Sequence, residues 1–192
     1  MSEAPVVVVS GAPRSGTSLM MRILEAAGVP PLCDDTRPAD VDNPHGYYEL
    51  EAVRRMPDDS AWLRDAPGRA VKVVQPLLRH LPSDRRYRVI LMHRDPDAVA
   101  RSQEAMLARR GATPDSDRAA VRRSLVRQLR AAETLLEARP ECDWLGVDYD
   151  RLVSDPVPEL ERVLLFLRRD ATPAKLAAIV EPALRRQRPA QD

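Results

Sequence analysis

A short segment near the amino end has the residue types of an anion-binding loop. Residues 11–18 read Gly-Ala-Pro-Arg-Ser-Gly-Thr-Ser and follow four valines and Ser10. A helical pattern begins at Thr17, so the segment lies between a predicted strand and a predicted helix. Backbone N–H groups at such a helix start attract anions, and Arg14 adds a cation. The segment therefore predicts a site for one phosphate or for a transferring sulfuryl group, with hydroxyl donors from Ser15, Thr17 and Ser18.

The spacing of Gly11 and Gly16 equals that of the Walker A loop of nucleoside triphosphatases. In that loop a lysine follows the second glycine and reaches the β and γ phosphates. Thr17 occupies this position here, so a conventional ATP or GTP loop is disfavoured. A kinase in which Asp95 organises magnesium stays open as an alternative.

A second cation, Arg94, follows the predicted strand 87–93. Asp95 and Pro96 are the residue types that cap and open a helix, so a helix is expected to begin there. Ser102 lies about two helical turns further along. A guanidinium at a strand end and a helix hydroxyl can flank one phosphate, and this pair predicts a second phosphate site.

These blocks resemble the sulfotransferases that use 3′-phosphoadenosine 5′-phosphosulfate (PAPS). Residues 13–18 are similar to the 5′-phosphosulfate loop of that family, and Arg94 with Ser102 is similar to its 3′-phosphate motif. Segments 43–49 and 147–156 resemble further stretches, the first of them in small bacterial sulfotransferase-like proteins. The resemblance implies transfer of a sulfuryl group from PAPS to a hydroxyl or amine, which leaves adenosine 3′,5′-bisphosphate (PAP). The cofactor-binding residues that it implies are Pro13, Arg14, Ser15, Gly16, Thr17, Ser18, Arg94 and Ser102.

Catalytic roles are expected for Arg14, Lys72 and Glu49. Arg14 supplies charge stabilisation by its position in the loop, and the resemblance makes Lys72 the strand-end lysine that contacts the leaving group. Many cytosolic members carry a histidine two residues after that lysine, where Val74 stands here. Heparan-type members use a glutamate after the phosphate loop, so Glu49 is the expected base and His45 the second candidate.

The carboxyl end departs from the better-studied members of the family. Their glycine-rich, basic segment that closes over the cofactor is absent, and only Arg186 or Arg188 is expected to substitute for it. Together with the missing histidine, this departure keeps a third hypothesis open. The chain is then a nucleotide-binding module without catalytic activity.

The pattern of apolar residues predicts the elements that position these groups. Strands that alternate with helices predict a parallel sheet flanked by helices on both faces, an α/β fold of the P-loop type. The expected strands are 6–9, 70–74, 87–93 and 144–147. The expected helices are 17–27, 98–109 with Pro96 opening it, 118–138, 160–167 and 174–180, with short helical patches at 49–56 and 60–64.

Composition limits the classes of protein and partner. The 192 residues are 44% hydrophobic, which predicts a single domain over residues 1–192. Thirty Lys and Arg against 29 Asp and Glu give a net charge of +1, so no nucleic-acid partner is expected. Neither cysteine has a metal-ligand neighbour, and no metal site is expected. The amino end has no secretion signal or membrane span, which favours a cytoplasmic protein. The expected partner is a small-molecule acceptor.

Overall fold

The computed structural model describes residues 3–34, 36–41, 43–56, 58–109, 111 and 117–180. Within those ranges, short 3₁₀-helices occupy Glu51–Arg55, Ala61–Asp65 and Gln75–His80. The strands are β1 (Val6–Gly11), β2 (Ala70–Val74), β3 (Tyr87–His93) and β4 (Cys142–Asp148). The α-helices are α1 (Thr17–Ala26), α2 (Pro96–Arg109), α3 (Arg118–Glu137), α4 (Tyr149–Ser154), α5 (Pro156–Leu167) and α6 (Pro173–Ala177).

The four strands form one parallel sheet in the order β2-β1-β3-β4. Val9 of β1 lies beside Lys72 on one side and Ile90 on the other. Because all strands point the same way, the segments that follow them meet at one edge of the sheet. This edge carries the predicted site, and the prediction of a parallel α/β sheet is confirmed.

Helices and turns cover both faces of the sheet, as its alternating side chains require. Val7 and Val9 pack with α1, α5 and α6 in one core, whereas Val6 and Val8 pack with α3 and the 3₁₀ turns in the other. Successive side chains of a strand point to opposite faces, so the valine run of β1 is buried on both sides. Such a run is typical of a central parallel strand, and it fixes the segment that follows β1 at the site.

The structure corrects the sequence-based elements in the carboxyl third of the chain. Helix α5 begins at Pro156 rather than at residue 160, and α4 precedes it, where no helix was expected. The Asp148 carboxylate accepts a hydrogen bond from the Arg151 amide at 2.8 Å and so caps α4. The predicted helix 174–180 is shorter and covers Pro173–Ala177. The arginines Arg186 and Arg188 lie outside the described residues.

Among the described residues, no helix is both long enough and apolar enough to cross a membrane.

Candidate active site

The segment between β1 and α1, residues 11–18, is here called the glycine loop. Gly16 has a φ of 98°, in the left-handed region, and a Cβ there would lie 2.3 Å from Cδ2 of Tyr149. At Gly11, a Cβ would lie 2.3 Å from the Ser15 hydroxyl oxygen. Gly16 is therefore required by its backbone conformation and by the Tyr149 ring, whereas a side chain at Gly11 would force the Ser15 hydroxyl to turn away.

The glycine loop is tied to the end of β3 and to α2. The Arg94 guanidinium donates a hydrogen bond from Nη1 to the Arg14 carbonyl oxygen at 2.7 Å and lies over the Tyr149 ring, 4.3 Å from its centroid. Arg14 has a φ of 76°, and its Nε donates to the Ser102 hydroxyl at 3.0 Å. The structure thus brings together Arg14, Arg94 and Ser102, which lie far apart in the sequence.

A second group of contacts surrounds Lys72, the middle residue of β2. The Lys72 ammonium donates to the Tyr47 carbonyl oxygen at 3.0 Å and to the Ser18 hydroxyl at 3.4 Å. The Asn43 side-chain amide also donates to the Ser18 hydroxyl, at 2.9 Å. Only 12% of the Lys72 side chain is exposed. Burial lowers the pKa of Lys72, and the nearby Glu49 carboxylate opposes part of that shift.

Glu49 lies among three cations. Its Oε1 accepts a hydrogen bond from Arg37 at 2.9 Å and lies 3.6 Å from the Lys72 ammonium. Its Oε2 lies 3.5 Å from Arg54. The Arg37 guanidinium also lies over the Tyr47 ring, 3.3 Å from its centroid. The carboxylate is therefore held beside the buried lysine by contacts from the segment 37–54.

These groups line one cleft of about 360 Å³ at the carboxyl edge of the sheet. All but one of the predicted site residues line it. They are Pro13, Arg14, Gly16, Thr17, Ser18, Glu49, Lys72, Arg94 and Ser102, and the second base candidate, His45, lines it too.

Ser15 is the predicted cofactor-binding residue that does not line the cleft. Its side chain is 2% exposed, and its amide donates to the Ala12 carbonyl oxygen at 3.0 Å. The hydroxyl lies on the interior side of the glycine loop, among the residues of a smaller cavity that also includes Gln75. The backbone turn that Arg14 and Gly16 impose explains this orientation, which the loop sequence alone does not indicate.

Further residues line the cleft without having been singled out from the sequence. Asn43 and Tyr47 lie in the segment 43–49, so its resemblance to the family was the available signal. Tyr149 lies in the block 147–156, whose resemblance to the family was likewise the available signal. Arg22 and Arg37 carried no sequence signal, because an arginine on an amphipathic helix or in a polar loop is usually a solvated residue. With Arg14, Lys72 and Arg94, these two arginines make the cleft strongly basic.

The position of Asp95 bears on the alternative of a kinase. Its carboxylate accepts hydrogen bonds from the amides of Asp97 at 3.3 Å and Ala98 at 3.0 Å, so it caps α2. Among the described residues, no group of three or more His, Cys, Asp or Glu side chains is placed to hold a metal ion. The role of Asp95 in this structure is therefore that of a helix cap.

A sequence profile described as the Sulfotransferase family matches residues 37–173, which is more than half of the chain. The chain belongs to the sulfotransferase family. The matched range contains Glu49, Lys72, Arg94 and Ser102, and it begins after the glycine loop. No curated protein sequence matches the chain significantly.

Solved structures show the same sulfotransferase fold. The sulfotransferase domain of the Synechococcus PCC 7002 olefin synthase is 20% identical, with a TM-score of 0.54 over 97% of this chain and 84% of that one. The sulfotransferase domain from the curacin biosynthetic pathway is 14% identical, with a TM-score of 0.55 over 94% and 79%. Mouse sulfotransferase SULT7A1, complexed with PAP, is 16% identical, with a TM-score of 0.59 over 98% and 70%. Because these alignments span nearly all of this chain, they extend the fold assignment to the glycine loop.

Proposed function

We propose that this protein is a PAPS-dependent sulfotransferase that transfers the sulfuryl group to a hydroxyl or amine of a small-molecule acceptor and releases PAP. The observation that carries the proposal is one cleft with two groups of cations and donors. Lys72 and the glycine loop form the first group, and Arg94 with Ser102 forms the second. Such a pair suits a nucleotide with phosphates on both its 5′ and 3′ carbons. The mouse sulfotransferase that shares this fold was solved with PAP, which has those two phosphates.

The charge of the cleft supports an anionic cofactor. Its cationic side chains are Arg14, Arg22, Arg37, Lys72 and Arg94, and the one carboxylate among its lining residues is Glu49. A phosphate monoester carries roughly two negative charges at neutral pH. A cofactor with a phosphosulfate and a 3′-phosphate therefore offsets most of the positive charge, which leaves a neutral acceptor as the better match.

The proposed reaction places each group at one step. The acceptor oxygen or nitrogen attacks sulfur, the bond from sulfur to the bridging oxygen breaks, and the 5′-phosphate of PAP leaves with that electron pair. Lys72 and Arg14 stabilise the charge that develops on the bridging and equatorial oxygens. Glu49 takes the acceptor proton. Its carboxylate lines the cleft, 3.6 Å from the ammonium of Lys72, the proposed contact of the leaving group, and so lies close to the reacting atoms.

The proposed cofactor contacts follow the two ends of the cleft. The 5′-phosphosulfate would lie against the backbone amide of Gly16 and the hydroxyls of Thr17 and Ser18, at the start of α1, with the Pro13 ring beside it. The 3′-phosphate lies between Arg94 and Ser102. Because the Arg14 guanidinium bonds to Ser102 in this structure, we expect it to turn towards the phosphosulfate when the cofactor binds.

Ligand-dependent melting tests the proposed function. PAP should raise the melting temperature, whereas ATP with magnesium should raise it far less, because only a ligand that binds the native state stabilises it. The positive field comes from side chains and a helix start, so sulfuryl transfer should persist in the presence of a chelator. Equal shifts from the two nucleotides, or loss of activity with chelator and recovery with magnesium, would favour the kinase alternative.

Arg94→Ala tests the proposed 3′-phosphate site. The variant should weaken PAP binding by about 1.5–3 kcal/mol, the range for a lost charge-assisted hydrogen bond. Adenosine 5′-phosphosulfate, which lacks the 3′-phosphate, is the matched ligand and should bind almost as it does to the unaltered protein. Titration calorimetry with both ligands measures the difference. Since Arg94 also donates to the Arg14 carbonyl oxygen, an equal loss for both ligands would show that it only supports the loop.

A further inference from the structure

Three buried polar atoms belong to residues that line a small cavity beside the glycine loop. They are the hydroxyl oxygen of Ser15, the amide oxygen of Gln75 and Nε of Arg94, and none has a hydrogen-bond partner among the described residues. Ser15 is 2% exposed and Gln75 is 5% exposed. A buried polar atom without a partner costs about 1–3 kcal/mol, so three in one place indicate a shared ligand.

The three residues line one small cavity of about 20 Å³. Its remaining walls are nonpolar or backbone, from Ala12, Met92, Pro96, Val99, Leu125 and Leu129. A cavity needs roughly 10–15 Å³ of this kind of volume to hold one water molecule, which typically makes about three hydrogen bonds. Both the size and the number of polar atoms therefore match a single water.

The donors and acceptors also match water and exclude ions. Arg94 Nε is a donor only, the Gln75 oxygen is an acceptor only, and the Ser15 hydroxyl is either. A cation would lie against the Arg94 guanidinium, and an anion would lie against the amide oxygen of Gln75. A neutral molecule that accepts from Arg94 and donates to Gln75 satisfies both.

We propose that one buried water bridges Ser15, Gln75 and Arg94 and makes Gln75 a positioning residue for Arg94. The three residues follow β1, β2 and β3, so the water joins the ends of three neighbouring strands. Arg94 is then fixed by its bond to the Arg14 carbonyl oxygen, by the Tyr149 ring and by the water at Nε. Gln75 thereby acts on the cleft through Arg94 without lining it.

A crystal structure of the unliganded protein, at a resolution that shows ordered waters, tests the water directly. We expect one density peak at roughly 2.7–3.2 Å from Ser15 Oγ, the Gln75 amide oxygen and Arg94 Nε. A direct bond from Arg94 to Gln75, or no peak in this cavity, would overturn the proposal. This result does not depend on whether the protein binds PAP.

Substitution of Gln75 tests its positioning role, and this readout rests on the proposed function. Gln75→Leu keeps a similar size but removes the acceptor, so PAP affinity should fall roughly 5- to 30-fold. Adenosine 5′-phosphosulfate should lose less, because the effect passes through Arg94.

The matched control is Gln128→Leu, the same change on α3, where the side chain donates to Ser124 of its own helix at 3.1 Å and lines neither cavity. It should leave PAP affinity unchanged. If Gln75→Leu melts earlier but binds PAP like the unaltered protein, Gln75 is structural and the positioning role is wrong. If the unaltered protein does not bind PAP, the proposed function fails, whereas the crystallographic result on the water stands by itself.

Discussion

Glu49→Gln should lower sulfuryl transfer by roughly 10²–10⁴-fold, the usual contribution of a general base. Glutamine keeps the size of the side chain and one oxygen for the bond from Arg37, which lies 2.9 Å away. It removes the atom that takes the acceptor proton. The affinity for PAP should change little, because the proposed role of Glu49 is to take a proton from the acceptor and not to hold PAP. Radiolabelled sulfuryl transfer and PAP titration measure the two quantities separately.

Glu51→Gln is the matched control for the Glu49 variant. Glu51 also pairs with Arg54, at 3.5 Å, but it does not line the cleft. This variant should therefore keep normal turnover. If Glu49→Gln keeps near-normal turnover on a true acceptor, the carboxylate serves to hold Arg37 and Lys72, and His45 becomes the next base to test. If the unaltered protein binds PAP tightly and turns over no acceptor in a broad panel, the chain is a nucleotide-binding module.

Lys72→Ala should lower turnover by roughly 10²–10³-fold, the effect of removing one donor that stabilises transition-state charge. Unlike the Glu49 variant, it should also weaken PAP, because the ammonium meets the 5′-phosphate already in the ground state. Its burial makes this contact strong, since the charge is screened little by solvent. Measuring turnover and PAP affinity for the two variants side by side separates the proposed base from the proposed leaving-group contact.

Lys175→Ala is the matched control for Lys72, because Lys175 is the only other lysine in the chain. It is exposed on α6 and should leave both quantities unchanged. The Lys72 ammonium also donates to the Tyr47 carbonyl oxygen at 3.0 Å, so the melting temperature of its variant is measured as well. Loss of stability with unchanged PAP affinity would show that Lys72 only anchors the segment 43–49.

The sheet could be predicted because its strands are short, β-branched and separated by helical patterns. The expected bounds of β2 and β3 agree with the structure, since each is a nonpolar run that ends in a polar segment. Because the strands are parallel, the glycine loop after β1 and Arg94 after β3 lie at one edge, and the side chain of Lys72 in β2 reaches the same cleft. Residues at strand ends were therefore predictable as neighbours from topology alone.

Contacts from the long polar segment between α1 and β2 were not predictable in the same way. Arg37 reaches both Glu49 and Tyr47, although no periodic pattern places it there. The orientation of Ser15 depends on left-handed backbone at its two neighbours, Arg14 and Gly16. The pairing of Ser15 with the cavity that Gln75 lines depends on packing between separate strands. Such features arise from tertiary contacts that local sequence does not encode.

A crystal structure of the protein with PAP tests the central claim most directly, because it locates both phosphates. We predict that the 5′-phosphate lies within hydrogen-bond distance of the glycine-loop amides and the Lys72 ammonium. The 3′-phosphate should contact the Arg94 guanidinium and the Ser102 hydroxyl, with Arg14 released from Ser102. A nucleotide bound outside the cleft, or a 3′-phosphate directed into solvent away from Arg94, would contradict the account.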